Sequence, residues 1–352
     1  MQLSTTKDTK DHEGNPATQR LVSLSDIREA QSRIRGVTVR TKLIPLQHNG
    51  RTLFLKPENQ QPIGAFKLRG AYNKIASLTE QERARGVITY SSGNHAQGVA
   101  YAARALGVRA IIVMPRTAPA IKRESTASMG AEIVLVGPGS EERRRRAEEL
   151  AKEHGYVIVP PYNDESIIAG QGTIGLEILE DLPEVETVLA PVGGGGLVSG
   201  IAAALKLSHG TASSQSRNGT RIRVIGVEPE FASDANASMR AGHVVAFTAE
   251  QTARTIADGL RTQSVGEIPF NHMRRFVDDV ITVTEEEIRE AMRRLAGDPK
   301  VVAEPSGAVS VAAFLFHRDQ LPRTRMNVAV VSGGNVEPKL LSEILGEPPK
   351  PA

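Results

Sequence analysis

The sequence predicts an α/β protein of two domains, each an open, mostly parallel sheet flanked by helices. Three observations predict it. Short apolar runs recur at intervals of about 20 to 25 residues with helical patterns between them, the spacing of βαβ units. The runs are continuous rather than alternating, as in strands covered on both faces. The chain has 352 residues, enough for two substantial cores.

Residues 1–20 are polar and read as a disordered leader. Ser25 is the expected N-cap of a first helix, whose apolar face is Ile27, Ala30 and Ile34. Gly86 to Tyr90 reads as a strand and Ala96 to Leu106 as a helix of small residues. Ala110 to Met114 is the next strand, followed by a helix around Ala120 to Ser128 and a strand at Glu132 to Val136. A second series of strands follows at Thr187 to Pro191, Val224 to Val227 and Val328 to Val331. Two series of buried strands imply a cleft between two units, where ligands bind. Ser208 to Thr220 is a polar surface loop, and Gly346 to Ala352 a frayed end. In the run Arg143 to Arg146, flanked by glutamates, charges pair across turns on a solvated helix face.

Composition narrows the function. Apolar residues make up 40% and charged residues 24%, and the net charge is only +3, weak evidence for a nucleic-acid partner. No cysteine occurs, which excludes disulfides, zinc–thiolate sites and iron–sulfur clusters. No run approaches a membrane span and no signal peptide is recognisable, so a cytoplasmic enzyme without membrane association is expected.

Three segments carry chemistry. In Pro62-Ile63-Gly64-Ala65-Phe66-Lys67-Leu68-Arg69-Gly70 a lysine follows a glycine-bounded loop and opens a helix. Buried, such an amine has a lowered pKa and can form a Schiff base. On this stretch alone a surface lysine is the better reading. Ser91-Ser92-Gly93-Asn94-His95-Ala96-Gln97 lies between a strand and a helix, which suits either an anion site or an ordinary capped turn. Gly193-Gly194-Gly195-Gly196-Leu197 also joins a strand to a helix. Consecutive glycines cost roughly 0.5–1 kcal/mol each in ordered structure, tolerable where backbone N–H groups must close on a phosphate. Neither the dinucleotide fingerprint nor a G-K-[ST] loop fits, so a small phosphorylated cofactor is indicated.

In this order the three segments resemble the fold-type II pyridoxal-phosphate enzymes, tryptophan synthase β-like in fold. Within them the resemblance is to the threonine dehydratase (threonine ammonia-lyase) and serine racemase group, and it runs from about Ser25 to Leu341. It implies a large domain of residues 21–75 plus 164–352 and a small domain of 76–163, assembled as a homodimer. It implies that Lys67 forms the Schiff base with pyridoxal 5′-phosphate, that Phe66 packs near its ring, and that Asn94 bonds its 3′-oxygen. Gly193, Gly194, Gly195, Gly196 and Leu197 would hold the phosphate. Ser332, in Val331-Ser332-Gly333-Gly334-Asn335, would partner the pyridine nitrogen. A hydroxyl there leaves the ring neutral and a weaker electron sink, which favours prompt expulsion of a β-hydroxyl. The implied reaction removes water and ammonia from L-threonine or L-serine, giving 2-oxobutanoate or pyruvate.

By the same resemblance Ser91, Ser92, Asn94 and His95 surround the substrate carboxylate. Ser92 stands where serine racemases carry a second base, which leaves racemisation, and likewise 3-hydroxyaspartate as substrate, as alternatives. Glu228, the Ala232 carbonyl and Asp234 match the metal loop of serine racemases and would bind Mg²⁺, Mn²⁺ or Ca²⁺. Arg143 aligns approximately with a substrate-contacting arginine of the racemases. Ala65 departs from the serine of many relatives, which bears on substrate preference. The His95-Ala96-Gln97 continuation argues against cysteine synthases. No C-terminal regulatory domain follows Ser332, so inhibition by isoleucine is not expected.

Overall fold

A computed structural model describes residues 20–118, 120–208 and 221–347. The expected leader, save Arg20, the Ser208–Thr220 loop beyond Ser208, and the last residues of the expected frayed end lie outside the described residues. Ten strands form two sheets. β1 (Ile44–His48), β2 (Arg51–Pro57), β7 (Thr187–Pro191), β8 (Arg223–Pro229), β9 (Asp279–Val283) and β10 (Asn327–Val331) make a six-stranded sheet in the order β1-β2-β10-β7-β8-β9. β3 (Val87–Thr89), β4 (Ala110–Pro115), β5 (Glu132–Val136) and β6 (Val157–Ile158) make a four-stranded sheet in the order β5-β4-β3-β6. Every pairing is parallel except β1 with β2.

The apolar runs are buried because helices cover the sheets: β4, β7 and β10 are buried at every residue. On the six-stranded sheet, Val188 and Val328 belong to one apolar cluster, while Leu189 and Ala329 belong to another, as period-two alternation requires.

Some expectations are corrected. The first helix, Leu24–Arg33, is capped by Ser23, not Ser25. Ser23 Oγ accepts from the Asp26 N–H, and the Asp26 carboxylate accepts from the Ser23 N–H at 2.8 Å, a reciprocal box that Ser25, already inside the helix, cannot form. Its predicted apolar face is buried: Ile27, Ala30 and Ile34. The strand expected over Gly86 to Tyr90 is only Val87–Thr89, because Gly86 ends the preceding helix at φ +95°. The following helix starts earlier than expected, at Asn94.

The strands β1, β2, β6 and β9 were not expected. The β1–β2 hairpin turns at Asn49-Gly50, both with positive φ, a two-residue turn whose Asn-Gly signal is legible in the chain. On the helix Ser140–His154, Arg144 meets Glu141 and Glu148, while Arg145 and Arg146 meet Glu149. Arg143 breaks the pattern: it is half-buried and its Nε has no partner.

Candidate functional site

The topology puts the chemical segments at the carboxyl ends of strands. β10 lies beside β7, so the glycine loop after β7 and Ser332 after β10 emerge from adjacent strands. β3 is flanked by β4 and β6, so the Ser91–Asn94 turn emerges beside the strap Pro160–Asp164 that follows β6. These are the points where strand order reverses, the place at which open parallel sheets bind ligands.

Lys67 is the first residue of the helix Lys67–Ala76, and its Nζ donates to the Pro161 carbonyl at 2.8 Å. Burial pushes its amine down to about 8. The Phe66 ring lies 5.1 Å from the ammonium. The loop ahead of Lys67 is stitched to the segment after β10: the Phe66 N–H donates to Ser332 O at 3.0 Å, and the Gly334 N–H to Gly64 O at 2.9 Å. The buried Ala65 pairs with Gly333 across this seam, so the position is filled by packing. Ser332 is buried, with Oγ 3.3 Å from the Ser306 carbonyl.

The glycine loop runs into the helix Gly196–Leu207, which has Gly195 as N-cap at φ +88°, a conformation that strains a residue with Cβ. A Cβ on Gly194 would stand 2.2 Å from the Tyr162 ring, so the loop and the strap touch. The first-turn N–H groups of Gly196, Leu197 and Val198 have no acceptor within the helix, and the dipole adds positive character there. This end can therefore hold a phosphate without a cationic side chain.

Across the cleft the helix Asn94–Ala105 has Gly93 as N-cap and no side-chain cap, leaving the N–H groups of Asn94, His95 and Ala96 free of intrahelical acceptors. Ser91 Oγ is 3.4 Å from the Gly93 N–H, and Ser92 is half-buried in the same turn. Asn94 Nδ2 donates to Glu304 at 2.7 Å, and Asn94 Oδ1 accepts from Asn335 Nδ2 at 2.8 Å. The His95 ring bonds the Val159 carbonyl at 2.9 Å, which leaves its backbone N–H as the group available to an anion. Burial, and next the Lys67 charge, push the His95 ring down to about 3, so it is neutral at neutral pH.

Sequence reasoning missed Glu304, Pro161 and Tyr162. Glu304 is buried, and burial and then the Asp258 charge push its carboxyl up to about 7. The one local signal was the Glu304-Pro305 pair, an acidic N-cap before a proline at the first helical position.

The Glu228–Asp234 segment lies one strand away, running from the end of β8 to the start of the next helix. Glu228 accepts from the Ala235 and Asn236 N–H groups at 2.9 and 2.8 Å, whereas neither carboxylate oxygen of Asp234 has a hydrogen-bond partner. Both residues are buried. Burial pushes Asp234 up to about 7; burial and then the Asp234 charge push Glu228 well above its usual range. Two buried carboxylates without a cation fit a bound metal ion. Among the described residues there is no cluster of three or more His, Cys, Asp or Glu side chains that could hold a metal ion, so a third protein ligand would be a neutral oxygen, and Ala232 is buried in the loop.

The model of the pyridoxal-phosphate dependent enzyme family matches residues 34–333. The chain belongs to that family. It is 43% identical over 331 residues to the L-threonine ammonia-lyase of Thermotoga maritima, covering 93% of this chain and 79% of that protein. Among solved structures it is similar to the threonine deaminase from T.th., with TM-score 0.81, 42% identity, and 90% and 99% of the two chains covered. It is also similar to maize serine racemase, with TM-score 0.84, 38% identity, and 92% and 97% covered. The family carries the α/β fold expected above.

Proposed function

We propose that this enzyme removes water and ammonia from L-threonine or L-serine, releasing 2-oxobutanoate or pyruvate. The observation that carries the reading is the Lys67 amine, partly neutral near pH 8 and held by the Pro161 carbonyl between the glycine loop and the Asn94 turn. Pyridoxal phosphate, when bound, supplies the electron sink that acidifies the substrate Cα–H. The chain's residues do the rest. The N–H groups of Gly193–Gly196 and Leu197 would hold the phosphate. Phe66 would pack near the ring, Asn94 would bond its 3′-oxygen, and Ser332 would partner its nitrogen through a hydroxyl that carries no charge. The turn Ser91, Ser92, Asn94 and His95 orients the substrate carboxylate. Lys67, as a free amine, would take the Cα proton, and its lowered pKa suits a base working near neutrality.

A second reading, racemisation, rests on Ser92, whose hydroxyl stands in the carboxylate turn and could return a proton to the opposite face. We also propose a divalent cation on Glu228, Asp234 and the Ala232 carbonyl, supported by the unpartnered Asp234 oxygens, and a homodimer, which sedimentation tests. Incubation with L-serine and L-threonine in heavy water, followed by proton NMR, tests the main reading. Oxo acid without deuterated amino acid is the expected result. Loss of the Cα proton signal while serine persists would put racemisation first, and no oxo acid from either substrate would sink the proposal.

A further inference from the structure

The helix that presents Lys67 starts without a cap. Phe66, at the N-cap position, has helical dihedrals (φ −58°, ψ −22°) and offers no side-chain acceptor to the first turn. Backbone bonds close the turn, the Arg69 N–H to Phe66 O and the Phe66 N–H to Ser332 O, both at 3.0 Å, but no side chain caps it. This turn carries the reacting amine itself, and a displacement of an ångström is enough to disable such a group.

Two residues on, Arg69 points the opposite way: at about 100° per residue the two side chains are separated by roughly 200° around the helix. Arg69 is fully buried, and each of its five N–H groups has an acceptor. Nε donates to Glu58 Oε2 at 2.7 Å; one terminal nitrogen donates to Glu177 Oε1 at 2.7 Å and Thr173 Oγ1 at 3.1 Å; the other donates to Glu58 Oε1 at 2.8 Å and Glu177 Oε2 at 2.9 Å. Lys56 Nζ completes the set, donating to Glu177 at 2.6 Å and to Thr41 O at 2.7 Å. The charged partners come from three separate places: the end of β2, the one-turn helix Glu58–Gln60, and the long helix Glu165–Asp181. The charges balance, two cations against two carboxylates.

We propose that Arg69 is a positioning residue for Lys67: gripped on both sides by Glu58 and Glu177, it anchors the first helical turn, which has no side-chain cap, so that the Lys67 amine keeps its place beside Pro161. A planar fork bonded on every edge fixes rotation as well as position, which a single ammonium cannot do. The inference rests on Lys67 being the residue that carries the cofactor.

The test compares Arg69→Met, Arg69→Lys and Glu177→Gln with Leu295→Ala, a truncation in a separate apolar cluster. Tm is measured for every variant so that equal losses of stability are compared. Each holoenzyme is assayed for kcat and KM on L-threonine, and each apoprotein for the rate at which added pyridoxal phosphate develops its lysine-bound absorbance. Arg69→Met is expected to lower kcat by ~100-fold with KM within ~3-fold, and to slow cofactor attachment ~30-fold, as misplacement of a reacting group predicts. Arg69→Lys should recover about tenfold of the lost rate, and Leu295→Ala should leave attachment unchanged. Arg69→Met matching Leu295→Ala at equal Tm loss, or Lys no better than Met, overturns the proposal. If Arg69→Met does not fold, Glu177→Gln decides: an attachment rate equal to wild type overturns it, and a several-fold slowing without KM change supports it. Lys67→Ala separates the two claims. Persistence of lysine-bound absorbance in that variant sinks the functional reading, whereas its loss, with Arg69 variants like the control, sinks the positioning role alone.

Discussion

Two groups of buried charges sit in this molecule and behave in opposite ways. Around Arg69, two cations and two carboxylates satisfy one another with short bonds, and no donor of the guanidinium is left over. At Glu228 and Asp234, two carboxylates are buried together with no cationic side chain paired to them among the described residues, and Asp234 keeps two unpartnered oxygens. The cost of burying a charge is similar in both places; what differs is compensation within the chain. A compensated cluster is complete and can serve as a fixed frame. An uncompensated one must keep a proton or take a cation from outside. The pKa directions follow. Against the cost of burial, the Arg69 and then the Lys56 charge hold the Glu177 carboxyl below its usual range, while burial pushes Asp234 up to about 7.

The sharpest way to break this comparison is to unbalance the complete cluster. Glu58→Ala leaves Arg69 half-unpaired in the interior and should cost about 3–5 kcal/mol in urea unfolding. A loss no larger than the ~1 kcal/mol of a surface pair would show that the cluster is not compensated as described. Next in size is the ligand effect at the incomplete site. Mg²⁺ at ~100 times its Kd should stabilise the protein by about 2.7 kcal/mol at pH 8. Asp234→Asn should abolish that gain, and a Tm gain that survives the substitution would place the ion elsewhere.

The pH dependence separates the two clusters by sign. A carboxyl whose pKa is raised by folding contributes stability at low pH that is lost as pH rises toward the folded value. The cation-free protein should therefore lose stability between pH 4 and about 7 through Asp234, by about 3–6 °C in Tm. Glu177 has a depressed value, so its contribution is present above its unfolded value of 4.5 and is lost on acidification below it. A calorimetric pH series on wild type and Asp234→Asn checks both arms: the substitution should reduce the slope of the upper arm, to which the raised Glu228 and Glu304 carboxyls also contribute, and leave the lower one. The smallest effect belongs to the exposed run on the helix Ser140–His154. Arg144→Ala, which removes pairs with Glu141 and Glu148, should change unfolding free energy by less than about 0.5 kcal/mol.

How much was legible depended on range. The central strands and the helices between them were read from apolar runs, because a strand buried on both faces is a contiguous local pattern. β1 and β2 were missed although Asn49-Gly50 is a strong hairpin signal, and β9 although every residue from Val280 to Val283 is β-branched. The glycine loop stood out because it concentrates unusual residues within a few positions, whereas Lys67 and the Ser91–His95 turn were singled out by the order of the three segments and the family they resemble. Pro161 was not, because a backbone carbonyl has no residue type to announce it. Glu304 looked like any helix-initiating acid until burial was known, and Arg143 looked like its exposed neighbours.

By itself, then, the sequence determined the local grammar of this protein: which stretches become helix or strand, where anion-binding turns open helices, and which lysine could carry a cofactor. Only the tertiary structure decided which of these meet. Parallel pairing of Thr187 with Asn327 brings the glycine loop and Ser332 together from 140 positions apart, and the bonds of Asn94 to Glu304 and Asn335 close the cleft over a longer separation still. It also decided protonation, leaving His95 neutral and the Lys67 amine near 8. The physical reason is that helix and strand propensities act within a turn or two. Desolvation and charge compensation depend on everything within reach of a buried atom, and that neighbourhood exists only once the chain has folded.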